Sequence, residues 1–270
     1  MKTNSQILPS AAPPDVSGAG VRLFAAYSRR YVRRHFHTIR VLKSGLPECD
    51  PSRPLVIYLN HASWWDPLVC LRLSQNWFAD RNSFAPIDAA ALRRYGFFKH
   101  LGFYGVEQKS LSGARSFLRT TQAILGSEQN VVWLTPQGRF ADVRERPARL
   151  QNGLGALAAL SGDAVFMPLA IEYAFWTESC PEILVSFGKP VVPGKNPLRA
   201  SGEWTEFFSS ELEGTMDELA AGSRRRDPAE WLVLDRGASG TGPVYDAWRW
   251  LRTRMSGGKF AREHQPEGSA

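Results

Sequence analysis

Several short runs of the chain are apolar almost without interruption, among them Leu55 to Leu59 (LVIYL), Val131 to Leu134 (VVWL) and Val165 to Ile171 (VFMPLAI). A strand with one face in water alternates apolar and polar residues, so strands written this way have to be covered on both faces, as in a parallel sheet held between helices. Pro54 to Asn60, Ser83 to Ile87, Phe103 to Glu107, Val131 to Thr135, Val165 to Tyr173 and Ile183 to Phe187 read as strands. Pro67 to Trp77, Ala89 to Leu101, Leu111 to Leu125, Leu150 to Leu160 and Trp204 to Ala221 read as helices between or after them. That order predicts an α/β fold, a single domain with a mostly parallel, helix-flanked sheet.

The 270 residues suffice for a core without disulfides or structural metals. Cys49, Cys70 and Cys180 are odd in number, far apart and in no metal-ligand spacing, which points to a reducing compartment and to no metal site. No apolar run reaches the roughly 18–20 residues of a membrane span, and the first twenty residues hold no secretory h-region. Residues 1–20 are Pro/Ser/Ala-rich and are expected to be disordered. Residues 46–235 make the α/β domain. Residues 236–270 comprise a linker (Gly237 to Pro243), a short basic helix (Val244 to Met255) and a tail.

The remaining segment, 21–45, holds most of what the charge distribution has to say. The formal net charge is +7, and from Val16 to Pro47 no acidic residue occurs, while Arg22, Arg29, Arg30, Arg33, Arg34, Arg40 and Lys43 are interleaved with aromatic and aliphatic residues. Phe24, Tyr27, Tyr31 and Val32 fall on one helical stripe. A basic amphipathic helix of this kind suits a membrane surface with anionic lipids, or simply packs on its own domain. No nucleic-acid-binding motif accompanies it, and no nucleic acid partner is expected.

In an α/β domain ligands gather at the carboxyl ends of the strands. After the first strand stands Asn60-His61-Ala62-Ser63-Trp64-Trp65-Asp66-Pro67. A histidine at a strand end and an aspartate five residues on can turn toward each other across the loop. The carboxylate then holds one ring nitrogen and leaves the other free as a general base. Asp66 before Pro67 is also a good N-cap, and His61 alone also reads as a core histidine. After the fourth strand stands Pro136-Gln137-Gly138-Arg139, a turn whose amides and guanidinium suit an oxyanion, or a plain connection with a solvated arginine.

The two blocks in order, with GFYGVEQ between them and FMPLAIEY after them, resemble the glycerolipid acyltransferase family, whose best-known members are lysophosphatidic acid (1-acylglycerol-3-phosphate) acyltransferases. Its first block, N-H-x-S-x-x-D, is matched by Asn60, His61, Ser63 and Asp66. Its third, F-P-E-G-T-R-S, is matched by Pro136 and Gly138, with Gln137 in place of glutamate and Arg139 one position early. Its second block carries an arginine for the acceptor phosphate, where this chain has Gln108 followed by Lys109. The resemblance covers about residues 42–195.

What the resemblance implies is acyl transfer from an acyl thioester, acyl-CoA or acyl carrier protein, to a lipid hydroxyl, with no cofactor beyond that donor. His61 would be the base and Asp66 its orienting partner. Asn60, Ser63, Trp64, Trp65, Gln108, Lys109, Pro136, Gln137, Gly138 and Arg139 would line the substrates. The acceptor expected first is the lysolipid 1-acylglycerol-3-phosphate, with the enzyme a peripheral, monotopic protein on the cytoplasmic face of a membrane. The changes in the second and third blocks keep open another lipid hydroxyl, such as a lyso-ornithine lipid or glycolipid. A noncatalytic lipid-binding protein of the same fold is the alternative from another class. A serine hydrolase is disfavoured, since no G-x-S-x-G elbow occurs.

Overall fold

The computed structural model describes residues 12–48, 50–195 and 199–239. Helix α1 (Gly18–His35) leads into strand β1 (Thr38–Leu42), and the chain then crosses to β2 (Leu55–Leu59). An alternation follows: α2 (Asp66–Trp77), β3 (Asn82–Asp88), α3 (Ala89–Arg94), β4 (Phe103–Val106), α4 (Leu111–Ile124), β5 (Asn130–Leu134), α5 (Gly153–Leu160) and β6 (Val165–Ala174). Strand β7 (Glu182–Phe187), the long helix α6 (Ser201–Arg225) and β8 (Trp231–Arg236) complete it. Eight strands form one sheet in the order β4-β3-β5-β2-β6-β7-β1-β8. From β4 to β6 all neighbours are parallel; β7 is antiparallel to β6 and parallel to β1, and β8 is antiparallel to β1. The single α/β domain with a mostly parallel sheet is therefore the fold observed, its predicted strands placed to within one residue at each end.

The uninterrupted apolar runs are explained by the two layers that cover the sheet. On one face Val56, Tyr58, Val132, Leu134 and Phe166 pack with Leu154 and Leu157 of α5 and Phe208 and Leu212 of α6. On the other, Leu55, Ile57, Val131, Trp133 and Met167 pack with Val69 and Leu73 of α2 and Val32 of α1. Successive side chains point to opposite faces, so β2 feeds both cores and all five of its residues are buried. Full burial of each such side chain is worth about 1.5–3 kcal/mol.

Four expectations are corrected. The basic helix read over 21–45 begins earlier and stops at His35, and Thr38 to Leu42 form a buried strand. The β-branched Thr38, Ile39 and Val41 favour the extended chain. Arg40 is tolerated inside the sheet because Glu182 of β7 meets its guanidinium at 3.1 Å and the ring of Trp176 lies 5.0 Å beneath it. That arginine is thus unavailable to a phosphate surface. The boundaries at 46 and 235 consequently cut through the sheet: β1 belongs to it, β8 ends at Arg236, and the amides of Gly237 and Ala238 donate to the carbonyls of His37 and Phe36.

The helix read over Ala89 to Leu101 breaks at Tyr95, with a 3-10 turn over Gly96–Leu101 ending at Gly102. Gly102 has φ +90° and passes so close to the Ser83 carbonyl that a Cβ would lie 2.1 Å from it, so only glycine brings the chain into β4 this way. Before α1, Val16 packs on the core and Ser17 is tied to the His100 carbonyl at 2.9 Å while its hydroxyl caps the helix, so order begins inside the segment expected to be disordered. The N-terminal eleven residues, Cys49, and the helix and tail read beyond residue 243 lie outside the described residues.

Candidate active site

Strand β2 delivers His61 to the carboxyl edge of the sheet, and the loop behind it is clamped on both sides. The Asn60 side chain is 2% exposed and donates to the Ile171 carbonyl at 2.9 Å while accepting from the Ile171 amide at 2.8 Å. It extends the pairing of β2 with β6 by one side chain, and its amide is spent on that backbone. The His61 amide donates to Oε1 of Gln137 at 2.8 Å, and the His61 carbonyl accepts from the Ala141 amide at 2.9 Å. The turn after β5 thus fixes the histidine backbone, with Gln137 buried to do so.

Asp66 is the first residue of α2, where the helix dipole favours a carboxylate. It caps no amide of the helix's first turn; its oxygens turn to the loop instead. Oδ2 lies 2.7 Å from Nδ1 of His61 and accepts from the Ser63 amide at 3.0 Å. Oδ1 accepts from the hydroxyl of Tyr173, on β6, at 2.6 Å. The Asp66 side chain is 1% exposed and that of His61 19%. With the carboxylate on Nδ1, the neutral imidazole carries its proton there and turns the lone pair of Nε2 outward. The ring of Phe140 lies against the imidazole, centroids 4.3 Å apart.

The neighbouring titratable groups are inert by comparison. Burial, and then the negative charge of Asp66, push the Tyr173 hydroxyl far above its ordinary value, so it stays a proton donor to the carboxylate. The same two causes raise the buried Cys70 thiol, which removes it as a nucleophile. Among the described residues no group of three or more histidine, cysteine, aspartate or glutamate side chains is placed to hold a metal ion. No helix among them is long and apolar enough to cross a membrane.

The other residues read from the sequence divide by position. Ser63 supplies its amide to Asp66, and its hydroxyl accepts from the Trp65 amide at 3.3 Å. Trp65 is packed between Tyr31 and Phe36 and so ties the loop to α1, whereas Trp64 is 63% exposed. The Pro136 carbonyl accepts from the Gln151 amide at 2.9 Å. Gly138 has φ +66°, and the Gln151 side chain occupies the place of its missing Cβ. Arg139 is half exposed and forms an ion pair with Glu145. Gln108 and Lys109 are exposed beyond the end of β4, three strands from β2, or roughly 14 Å at the usual spacing. The structure gathers Asn60, His61, Ser63, Asp66 and Gln137 at one centre and leaves Gln108 and Lys109 at its margin.

Tyr173 and Phe140 are the site residues that the sequence reading missed. Tyr173 shares a strand face with Ile171 at the carboxyl end of β6, which adjoins β2, and the period-2 pattern past Pro168 was the available signal. A groove of about 710 Å³ opens beside this centre, between the 141–146 segment, the end of β6 and α6. Ala62, Ala170, Ile171, Met216 and Leu219 give it an apolar wall, Tyr173 joins it to the histidine loop, and Arg144, Arg146 and Arg224 stand among its polar residues.

Comparison with curated proteins finds no match. The acyltransferase family model matches residues 33–172, just over half of the chain, a span that begins in α1, contains the whole histidine loop and ends one residue before Tyr173. With that match on the sheet and the loop just described, the chain belongs to the acyltransferase family, of the glycerolipid acyltransferase type, and is an acyl-transferring enzyme.

Proposed function

We propose that the protein moves a fatty acyl group from an acyl thioester, acyl-CoA or acyl carrier protein, to the hydroxyl of a lysophospholipid, with 1-acylglycerol-3-phosphate the first acceptor to test. The observation that carries this reading is the His61–Asp66 pair, with Nδ1 2.7 Å from a sealed carboxylate and the imidazole at the solvent edge. Nε2 takes the proton of the acceptor hydroxyl as its oxygen attacks the thioester carbonyl. The C–S bond breaks, the ester forms, and the proton passes to the departing thiolate. Asp66 orients the ring and offsets the charge of the imidazolium. A positioned base contributes about 10²–10⁴-fold, and holding both substrates in line adds to it. The apolar wall of the groove suits an acyl chain; Arg144 and Arg146 are paired with Asp142 and Asp217 on its rim, which leaves Arg224 to meet an anionic head group.

A second acceptor is favoured by a specific observation. The Arg139 guanidinium is engaged by Glu145, and Gln108 lacks the planar fork of an arginine, so less is left to grip a phosphate. A lyso-ornithine lipid or glycolipid would need less of it. The test offers purified protein a labelled acyl-CoA or acyl carrier protein with a panel of lysolipids, wild type against His61→Ala. Label in phosphatidic acid, lost in the variant, supports the first acceptor; label confined to another lipid moves the function there. No transfer from any donor removes the enzymatic reading of this site.

A further inference from the structure

We propose that the groove beside His61 selects an acceptor with a zwitterionic head group, its ammonium held by Glu172 and its anionic group by Arg224. The inference deepens the functional reading above and rests on it, choosing among the acceptors that reading leaves open. The charged side chains that line the groove are Asp142, Arg144, Arg146, Glu172, Asp217 and Arg224. Four of them cancel in pairs, Arg144 with Asp142 and Arg146 with Asp217. Neither Glu172 nor Arg224 has an ion-pair partner among the described residues, so the groove keeps one negative and one positive charge. A purely anionic head group would meet Arg224 but also an uncompensated carboxylate, and like charges repel more strongly in a groove sheltered from water.

The fold places the two charges side by side. Glu172 follows Ile171, whose backbone is joined to the Asn60 side chain, on the strand next to β2. Side chains alternate along β6, so Tyr173 turns to Asp66 while Glu172 turns to α6, where the Ser223 hydroxyl donates to its Oε1 at 2.9 Å. That bond pins the carboxylate and leaves Oε2 for a donor on the ligand. Ser223 and Arg224 are consecutive in the last turn of α6, whose carbonyl end is the negative pole of the helix and favours a cation. An ammonium, with its three donors, therefore meets the carboxylate and the helix end together. The exposed Arg224 fork beside it suits a carboxylate or a phosphate. An amino-acid head group and a phosphoethanolamine head group share this pairing of charges.

The test sets two zwitterionic acceptors, lysophosphatidylethanolamine and a lyso-ornithine lipid, against two anionic ones, lysophosphatidylglycerol and lysophosphatidic acid, with one labelled acyl donor and the full chain. The wild type is expected to show its highest kcat/KM with a zwitterionic lipid, and the better of the two identifies the anion as phosphate or carboxylate. Glu172→Gln keeps an oxygen for Ser223 and removes the charge. It is expected to raise KM for the zwitterionic acceptor about tenfold, with kcat and the KM of the acyl donor little changed and the anionic lipids improved. Arg224→Gln is expected to raise KM for both classes. Wild type that prefers the anionic lipids, or a Glu172→Gln variant with the wild-type preference, would overturn the proposal. An equal loss with both classes in Glu172→Gln would overturn it as well, since the carboxylate would then serve only to hold Arg224. Calorimetry separates this site from the enzymatic reading. Glycerophosphoethanolamine or ornithine that binds wild type more tightly than glycerol 3-phosphate does, and loses that advantage in Glu172→Gln, keeps the head-group site where no lipid is acylated. Transfer to anionic lipids alone keeps the enzyme and removes the site.

Discussion

The Asp66 carboxylate accepts from His61 Nδ1, from the Ser63 amide and from the Tyr173 hydroxyl, so both of its oxygens are fixed in place and neither is open to solvent. Two substitutions separate what these contacts do. Asp66→Asn keeps the shape of the side chain but must offer an amide group to at least one donor, which turns the imidazole or its tautomer. The expected result is a kcat lower by about 10²–10⁴-fold with KM little changed, read in the lysolipid panel. Tyr173→Phe keeps the ring and removes one donor from a charged acceptor. It is expected to cost about 1–3 kcal/mol of stability and to lower kcat about tenfold, because the carboxylate can then swing away from His61. A Tyr173→Phe enzyme that melts earlier but turns over at the wild-type rate would show the hydroxyl to be only a structural bond. The His61–Asp66 pair was legible in the sequence because it is local, five residues within one loop. Tyr173 was not, since its contact spans 107 residues and exists only after β6 has paired with β2.

At the scale of the elements the same rule separates what was read from what was not. The strands β2, β5 and β6 announce themselves through uninterrupted apolar residues, and the turn after β5 through Pro136 and Gly138. Strand β1 hides because Arg40 and Lys43 continue the basic texture of α1, and the partner that makes Arg40 acceptable, Glu182, is supplied by β7. Strand β8 hides because its solvent-side residues break the pattern, with Leu232 39% exposed and Asp235 turned in to meet Arg29, Arg33 and Arg72. Both edges of the reading fail where a charge is buried with a partner distant in sequence. Arg40→Met tests the reassignment directly: it leaves Glu182 buried without its guanidinium and is expected to destabilise the fold by about 3–5 kcal/mol. A melting temperature like that of wild type would contradict the buried pair. Asn60→Ala probes the neighbouring join. It strips two hydrogen bonds from the Ile171 backbone and is expected to cost about 2–4 kcal/mol while KM for the acceptor holds; a raised KM at full stability would return Asn60 to the substrate.

Taken as a whole molecule, the sheet covered on both faces explains both how the site is held rigid and how the fold should fail at high pH. Tyr58 is wholly buried, its hydroxyl makes no hydrogen bond, and burial pushes it well above its ordinary value. Burial raises Tyr104 in the same direction, though its hydroxyl is bonded to Thr121 at 2.8 Å. Burial and the charge of Asp66 raise Tyr173, and the Cys70 thiol beside it. In the unfolded chain these groups lose their protons near the ordinary values, about 8.5 for the thiol and about 10 for a phenol. Above those values the folded state holds protons that the unfolded state has released, so stability falls as pH rises; below them the groups have no effect. With three phenols retained, the expected slope above pH 10 is about 4 kcal/mol per pH unit, and the thiol adds its share from about pH 8.5. Thermal melts from pH 7 to 11 are expected to stay level at first and then drop steeply. Tyr58→Phe removes one of the three phenolic protons and an unpartnered hydroxyl together, so with the thiol counted it is expected to shallow the alkaline slope by about a quarter and to leave neutral stability equal or higher. An unchanged slope in that variant would mean that Tyr58 is solvated or paired in solution, and that the core facing α6 is less tightly closed than the sheet requires.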